Sequence, residues 1–382
     1  MNNVYVSYNN IVSSLGSDSE TVVDQISKKV SGVSLVNNKD LFPEPFFSSI
    51  ISASQLAEAD QNKRLESEFT RLEQMFLASL QKVIDAYGSN LSDRVGLILS
   101  TTKGNIDVLE KESSFPKERA YLSELGKVVQ NYFGFQNEAI VLSNACVSGV
   151  LAIAVAKRFI NQGRFDDVFV VSGDVVTQFI LSGFNSFQAL SDQPCKPYCK
   201  NRNGINLGEV AASVLVTSNK NKLADESVLV LGEASCNDAN HISGPSRTGE
   251  GLVRAVARAM EEAKIKGDDI DYISAHGTAT IFNDEMEAIA FNRLGLNEVP
   301  LNSLKGYFGH TLGASGLVET IVGMHSLAQN KLFASLGFDE IGVTQPLNVI
   351  TETTSAELHT FLKTASGFGG CNTAAIFQKV TQ

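Results

Sequence analysis

Cys146 stands in Ser143-Asn144-Ala145-Cys146-Val147-Ser148-Gly149, just before Val147 to Asn161 (VSGVLAIAVAKRFIN), a stretch whose composition predicts a helix. A thiol at a helix start meets free backbone N–H groups and the positive end of the helix dipole, so its thiolate is expected to be stabilised and its pKa lowered. Cys146 is therefore the candidate nucleophile; the alternative is a small buried hydrophobe in a tight turn. His276, in His276-Gly277-Thr278-Ala279-Thr280, ends a predicted strand. Strand ends are where α/β proteins bind ligands, and imidazole is the group best suited to move protons near neutrality. His310 lies between Lys305 and Gly316 in a glycine-rich turn ahead of a second helix, as Cys146 does. Glycines beside it allow close backbone approach to a ligand. The other histidines, His241, His325 and His359, occupy no such turn and read as solvated or structural.

Lys305 could be a surface lysine, or could pair with a carboxylate; Glu319, on the helix after His310, is such a partner. Asp284 reads as opening the next helix, either as a plain N-terminal acid or as a group that orients the site. Gly367-Phe368-Gly369-Gly370 is a tight turn able to offer an N–H to an oxyanion. Asn203-Gly204 and Gly208-Glu209 could simply join strands.

These residues must be positioned by alternating strands and helices, which predicts α/β architecture. Strands are expected at Val95–Ser100, Ala139–Leu142, Val168–Ser172, Val210–Thr217, Val228–Leu231, Ile270–Ser274, Leu358–Ala365 and Thr373–Gln378. Helices are expected at Thr248–Lys266, where Leu252, Val256, Ala259, Met260 and Ala263 fall at helical spacing, and at Asp284–Arg293 and Ala314–Asn330. Residues 31–60 are polar, with Pro43 and Pro45, and predict a loop-rich insertion. The run from Gly208 (GEVAASVLV) echoes that from Gly370 (GCNTAAIFQ), which hints at two homologous halves.

The 382 residues suffice for two or three domains' worth of core, or two halves packed face to face. A net charge of −11, with no basic tract, argues against nucleic acid as a partner. An acidic partner would need a local basic patch. The start has neither a basic segment nor an apolar run of the signal-peptide kind, and the most apolar run, Val150 to Ala156, is too short to span a bilayer. The expected location is therefore the cytoplasm. Five sparse cysteines fit a reducing compartment, and the pair Cys195 and Cys199 lacks a second ligand pair nearby for zinc.

Taken together, Ala145-Cys146-Val147-Ser148-Gly149, His276 to Thr280, Lys305 with Gly309 to Ala314, and Gly367 to Gly370 resemble the β-ketoacyl-acyl-carrier-protein synthases of the thiolase superfamily, in their elongating Cys-His-His branch. The resemblance spans nearly the whole chain, thinning before about Gly88. It implies a thiolase-like fold, two similar βαβαβαββ halves in a layered αβαβα sandwich, with the nucleophile in residues 1–222 and the histidines in 223–382. It implies that Cys146 accepts an acyl chain, that His276 and His310 assist decarboxylation of a malonyl extender, and that Lys305 and Glu319 form a supporting pair. The N–H groups of Cys146 and Phe368 would form the oxyanion hole, with Phe368 gating the acyl pocket, Thr278 and Thr280 lining the pantetheine approach, and Phe184 nearby. It further implies acyl carrier protein and acyl and malonyl thioesters as partners, a homodimer or a heterodimer, and no metal or resident cofactor, since phosphopantetheine arrives on the carrier.

The chain departs from the pattern in several places. Acids usual at 199 and 203 are Cys199 and Asn203, Cys371 replaces a hydroxyl residue, Ile281 a proline, and Gln188 a docking arginine. The divergence suggests a specialised polyene or polyketide pathway. Two other classes fit less well. A non-catalytic chain-length-factor-like subunit would lack the nucleophile, and a degradative thiolase needs a late Cys-x-Gly, whereas Cys371 is followed by Asn372 and Thr373. An initiating Cys-His-Asn synthase would not have His310.

Overall fold

The computed structural model describes residues 3–60, 68–110, 113–238 and 244–380. Its strands build a ten-stranded sheet from two halves of one design. In the N-terminal half, β1 (Tyr5–Ser13), β2 (Val95–Ser100), β3 (Ile140–Leu142), β4 (Asp167–Asp174) and β5 (Val210–Thr217) lie in the order β1-β5-β4-β2-β3. In the C-terminal half, β6 (Val228–Asn237), β7 (Tyr272–Ser274), β8 (Leu301–Asn302), β9 (Thr360–Gly367) and β10 (Cys371–Lys379) lie as β6-β10-β9-β7-β8. The strand directions repeat too: two antiparallel pairings, then two parallel ones, in each half. The halves meet where Tyr5 and Val6 pair with Leu229 and Val228. The two glycine-led runs that echo one another in sequence end as β5 and β10, the equivalent strands.

Helices α1 (Arg71–Tyr87), α2 (Leu122–Phe133) and α3 (Ser148–Asn161) connect the first half. An added helix, α4 (Gln178–Ser186), follows β4. Helices α5 (Glu250–Ala263), α6 (Ile281–Arg293) and α7 (Ser315–Gln329) connect the second half. Helices α3 and α7 pack on one another and touch strands of both half-sheets, while α1 covers β1 and β5, and α5 covers β6 and β10, on the outer faces. This gives the αβαβα layering. It also explains the near-absence of a polar face on α7, which is buried from Ser315 to Met324. No helix among the described residues is long and apolar enough to cross a membrane.

Several expectations shift. The strand from Val228 runs on to Asn237. The insertion at 31–60 carries short strands, Ser34–Val36 and Phe46–Ser49, and a helix, Ala53–Ala59. Helix α6 begins at Ile281, where the Thr280 hydroxyl accepts the Asn283 N–H, so Asp284 lies inside the first turn and does not open the helix.

Candidate active site

The end of β3 leads into α3 through a sharp turn in which Ala145 adopts a left-handed φ of 44°. Cys146 follows it, next to the first turn of α3. In the second half Leu312, with φ 51°, stands at the matching place before α7. His310 precedes it, held by its backbone N–H to Asn206 O at 2.6 Å. His276 follows β7, and its N–H donates to Glu287 Oε1 at 2.9 Å. These three turns converge. Cys146 Sγ and a ring nitrogen from each histidine lie within 4.8 Å of one another, all buried.

The hydrogen bonds fix one tautomer. Leu312 N–H donates to His310 Nδ1 at 3.2 Å, so Nδ1 is an acceptor and Nε2 carries the proton. Nε2 is 3.2 Å from Cys146 Sγ and therefore donates to it. The rings of His276 and His310 are edge to face, 5.2 Å apart. Buried His276 Nδ1 has no hydrogen-bond partner among the described residues.

Burial, reinforced by the Lys305 ammonium, holds both imidazoles well below their ordinary pKa, so both are neutral at physiological pH. For Cys146 the expected direction is reversed. Burial, with the neighbouring Cys371, pushes the thiol up to about 12 against the opposing pull of Lys305. Desolvating the thiolate outweighs the help it receives, and the Cys146 side chain rests as a thiol.

Lys305 is no surface residue. It is 1% exposed, and its Nζ lies 2.6 Å from Glu319 and 2.9 Å from His276 O. The sequence reading missed Lys363 on β9, whose Nζ lies 2.6 Å from the other Glu319 oxygen. The signal available was a lone lysine inside an otherwise uncharged strand, TFLKTASG. Glu287 was missed as well. It accepts from the N–H groups of His276 and Gly277 and from Tyr198 Oη, and so pins the His276 turn.

Asp284 accepts from Thr278 N–H, Ala279 N–H and Tyr198 N–H, at 3.0, 3.2 and 2.7 Å. It orients the site, and burial raises its carboxyl to about 7. Through Tyr198 it also anchors the altered segment 198–204. There Cys199 Sγ bonds Asp339 at 2.8 Å, Arg202 Nε approaches Asp284 at 3.7 Å, and Asn203 Nδ2 donates to Asp192 at 2.6 Å. The segment stays folded onto the site without its usual acids.

A cleft of about 360 Å³ opens onto Cys146, His276 and His310. Phe184, Phe187 and Phe368 wall it, with Phe368 stacked on Phe184 at 5.7 Å and edge-on to Phe187 at 5.5 Å. Thr278, Thr280, Ile281, Phe282 and Gln188 also line it. The Gly367–Gly370 turn presses so close that a β-carbon on Gly367 would sit 3.0 Å from Cys146 N. Cys371 ties this turn to the Cys146 turn, with its Sγ 3.4 Å from Phe368 O and 3.7 Å from Asn144 O. Elsewhere, half-buried His325 bonds Asn9 at 3.1 Å, and exposed His359 lies near Glu357. His241 lies outside the described residues.

Residues 11–222 match the family model "Beta-ketoacyl synthase, N-terminal domain", and residues 227–339 match "Beta-ketoacyl synthase, C-terminal domain". A 3-oxoacyl-[acyl-carrier-protein] synthase 2 of Rhizobium meliloti is 32% identical over 64% of this chain and 61% of its own length. A putative polyketide beta-ketoacyl synthase 1 of Streptomyces halstedii is 29% identical over 74% of this chain and 75% of its own. Among solved structures, a ketosynthase in complex with its chain length factor from Xenorhabdus doucetiae superposes with a TM-score of 0.88 at 24% identity, covering 99% of this chain and 98% of that one.

Proposed function

The chain belongs to the β-ketoacyl synthase family, and on that premise we propose that it catalyses decarboxylative Claisen condensation of a Cys146-bound acyl chain with malonyl-acyl-carrier protein. The observation that carries this is the convergence of one thiol and two neutral imidazoles within 4.8 Å at a cleft wide enough for a thioester.

In the first step Cys146 Sγ attacks the carbonyl of the incoming acyl thioester. The S–H bond breaks as the new C–S bond forms. After the tetrahedral adduct collapses, the carrier's thiol leaves with the proton. The N–H groups of Cys146 and Phe368 hold the oxyanion, and the His310 Nε2 proton stabilises developing charge on sulfur. A thiol that sheds its proton only as the acyl group transfers fits the raised pKa. It also keeps a bare thiolate from being exposed between turnovers.

In the second step malonyl thioester occupies the cleft. Its carboxylate leaves as CO₂, and the electron pair flows into the thioester to give an enolate. Neutral His276 and His310 donate to the enolate oxygen, a role an imidazole fulfils through N–H without needing a positive charge. The enolate carbon then attacks the acyl-Cys146 carbonyl, a C–C bond forms, and the C–S bond breaks to release Cys146 as a thiolate that takes up a proton from solvent. Lys305 and Glu319 fix the charge beneath the histidines, and Asp284 holds the turn that carries His276. No resident cofactor enters these steps, because the thioester itself stores the electrons that CO₂ leaves behind. Phosphopantetheine arrives with the carrier and passes Thr278 and Thr280, while Phe368 gates the acyl side with Phe184 beside it.

The enzyme works in the cytoplasm as a dimer of two copies, with a chain-length-factor-like partner as the alternative. Its acyl chain belongs to fatty acid or specialised polyene or polyketide synthesis. The test is incubation with acyl- and malonyl-carrier proteins of graded chain length, with mass spectrometry of the Cys146 peptide and measurement of released CO₂. Acylation of Cys146 and CO₂ release are expected. Neither, with any primer, would overturn the enzyme reading in favour of a non-catalytic partner subunit.

A further inference from the structure

Lys363 is a buried charge that the reaction above leaves without a role. It lies on β9 with its side chain fully enclosed, where an apolar residue would be the ordinary choice. Its ammonium donates to Ser274 O at 3.0 Å and Ala275 O at 3.3 Å and pairs with Glu319 at 2.6 Å. Lys305 takes the next carbonyl, His276 O, and the other Glu319 oxygen. Three successive carbonyls at the end of β7, the last of them that of His276, thus run along two ammonium groups bridged by one carboxylate. Lys305 and Glu319 would already neutralise one another. A protonated Lys363 therefore adds positive charge that Glu319 does not balance alone; burial and Lys305 lower its pKa, while Glu319 and Glu287 favour the ammonium.

Among the other groups facing His276, Glu287 is a second acid that interacts with the Lys363 ammonium. Glu287 on α6 is turned to the N–H groups of His276 and Gly277 and to Tyr198 Oη, Asp284 to the 278–279 turn and Arg202, and His310 and Cys146 are neutral at rest.

We propose that Lys363 is a positioning residue for decarboxylation: it fixes the strand end that carries His276 and keeps a positive charge beneath the two imidazoles, where the enolate's negative charge develops. An adjacent cation disfavours a second cation, so the same charge helps keep both rings in the neutral, N–H-donating form, and Lys363 is among the groups that depress both histidines. The inference rests on the condensation reading above.

Lys363→Gln keeps a donor for the carbonyls but removes the charge, and Lys363→Met removes both while keeping most of the volume. Malonyl-carrier decarboxylation is followed by CO₂ release from pH 5 to 9 for the wild-type protein and both variants. Folding is checked by circular dichroism, and if one variant does not fold the other carries the test. We expect kcat to fall about tenfold with KM changed by less than about twofold. The acid limb of kcat should move upward by about one pH unit, because losing a nearby positive charge lets the histidines protonate more easily. Folded variants with wild-type kcat and acid limb would overturn the proposal, as would recovery by Gln but not Met, which would reduce Lys363 to a hydrogen-bond donor. An inactive wild-type protein would overturn the condensation reading itself, and this role with it, and is recognised before any variant is made.

Discussion

Gly149 and Gly316 face each other where α3 crosses α7. A β-carbon on Gly149 would lie 2.5 Å from Leu317 N, and one on Gly316 would lie 2.6 Å from Val150 N. Each follows, four residues on, a left-handed residue, Ala145 or Leu312. The Cys146 turn and the His310 turn are thus one structural device used twice, and the closeness of the central helices brings the two turns to a common point.

Gly149→Ala follows directly from this. The obstacle is backbone, which cannot rotate away as a side chain could, so the helices must part. Destabilisation of about 3 kcal/mol or more is expected, at or above the upper end for overpacked cores. Condensation should fall further than stability alone explains, because Cys146 and His310 separate. Urea unfolding with activity measured on the folded fraction checks this. A variant with wild-type stability would contradict the close crossing.

Much of this duplication could be read in the sequence. Val95–Ser100 and Val210–Thr217 are continuous apolar runs because they are buried on both faces, and the structure places them with those same bounds. Strand β1 escaped notice because YVSYNNIVS breaks the alternation with two asparagines, at a register shift between Val6 and Asn9. Helix α1 was missed although Thr70 and Glu73 form a capping box and Gly88 ends it. In the site, Cys146 at its helix start and His276 and His310 beside glycines were legible, since their turns need unusual backbone. Lys363 and Glu287 were not, because their importance comes from which strand and helix lie beneath the turns. The thiol's pKa was misjudged because helix position can be read from sequence and burial cannot.

The neutral histidines set a pH dependence. Both rings are held well below the ordinary imidazole pKa of about 6.5, so lowering the pH through that value should not protonate them. Malonyl decarboxylation should show no histidine inflection from about pH 8 to 6; the group that titrates in that window is Asp284, raised to about 7 by burial, and Asp284→Asn should remove any inflection it causes. An inflection near 6.5 that persists in Asp284→Asn would mean that at least one ring is charged or solvated at rest.

Glu319→Gln tests the buried triad from its centre. The substitution preserves shape but leaves the Lys305 and Lys363 ammonium groups enclosed without a counter-charge; Glu319 itself is only 3% exposed. Stripping the partner from buried ions costs about 3–5 kcal/mol. The protein should therefore unfold at markedly lower denaturant, and the loss should ease at high pH as one lysine gives up its proton. Equal stability to the wild type across pH 7 to 10 would show that the two lysines do not depend on Glu319.

Phe368→Ala addresses the gate. The ring is 38% exposed, and its contacts with Phe184 and Phe187 are each worth about 0.5–1.5 kcal/mol at most in a buried setting, so the fold should tolerate its loss. The backbone at 368 stays, its carbonyl oxygen still contacted by Cys371 Sγ, so the proposed oxyanion donor is retained and kcat for decarboxylation should change by less than about threefold. What should change is containment. Without the ring beside Cys146, water reaches the acyl thioester, and acyl-Cys146 should hydrolyse several-fold faster than in the wild type, lowering the yield of condensed product per acyl group consumed. Mass spectrometry of pre-acylated protein over time measures this. Unchanged hydrolysis together with unchanged condensation would show that the Phe184, Phe187 and Phe368 cluster lines the cleft without closing it.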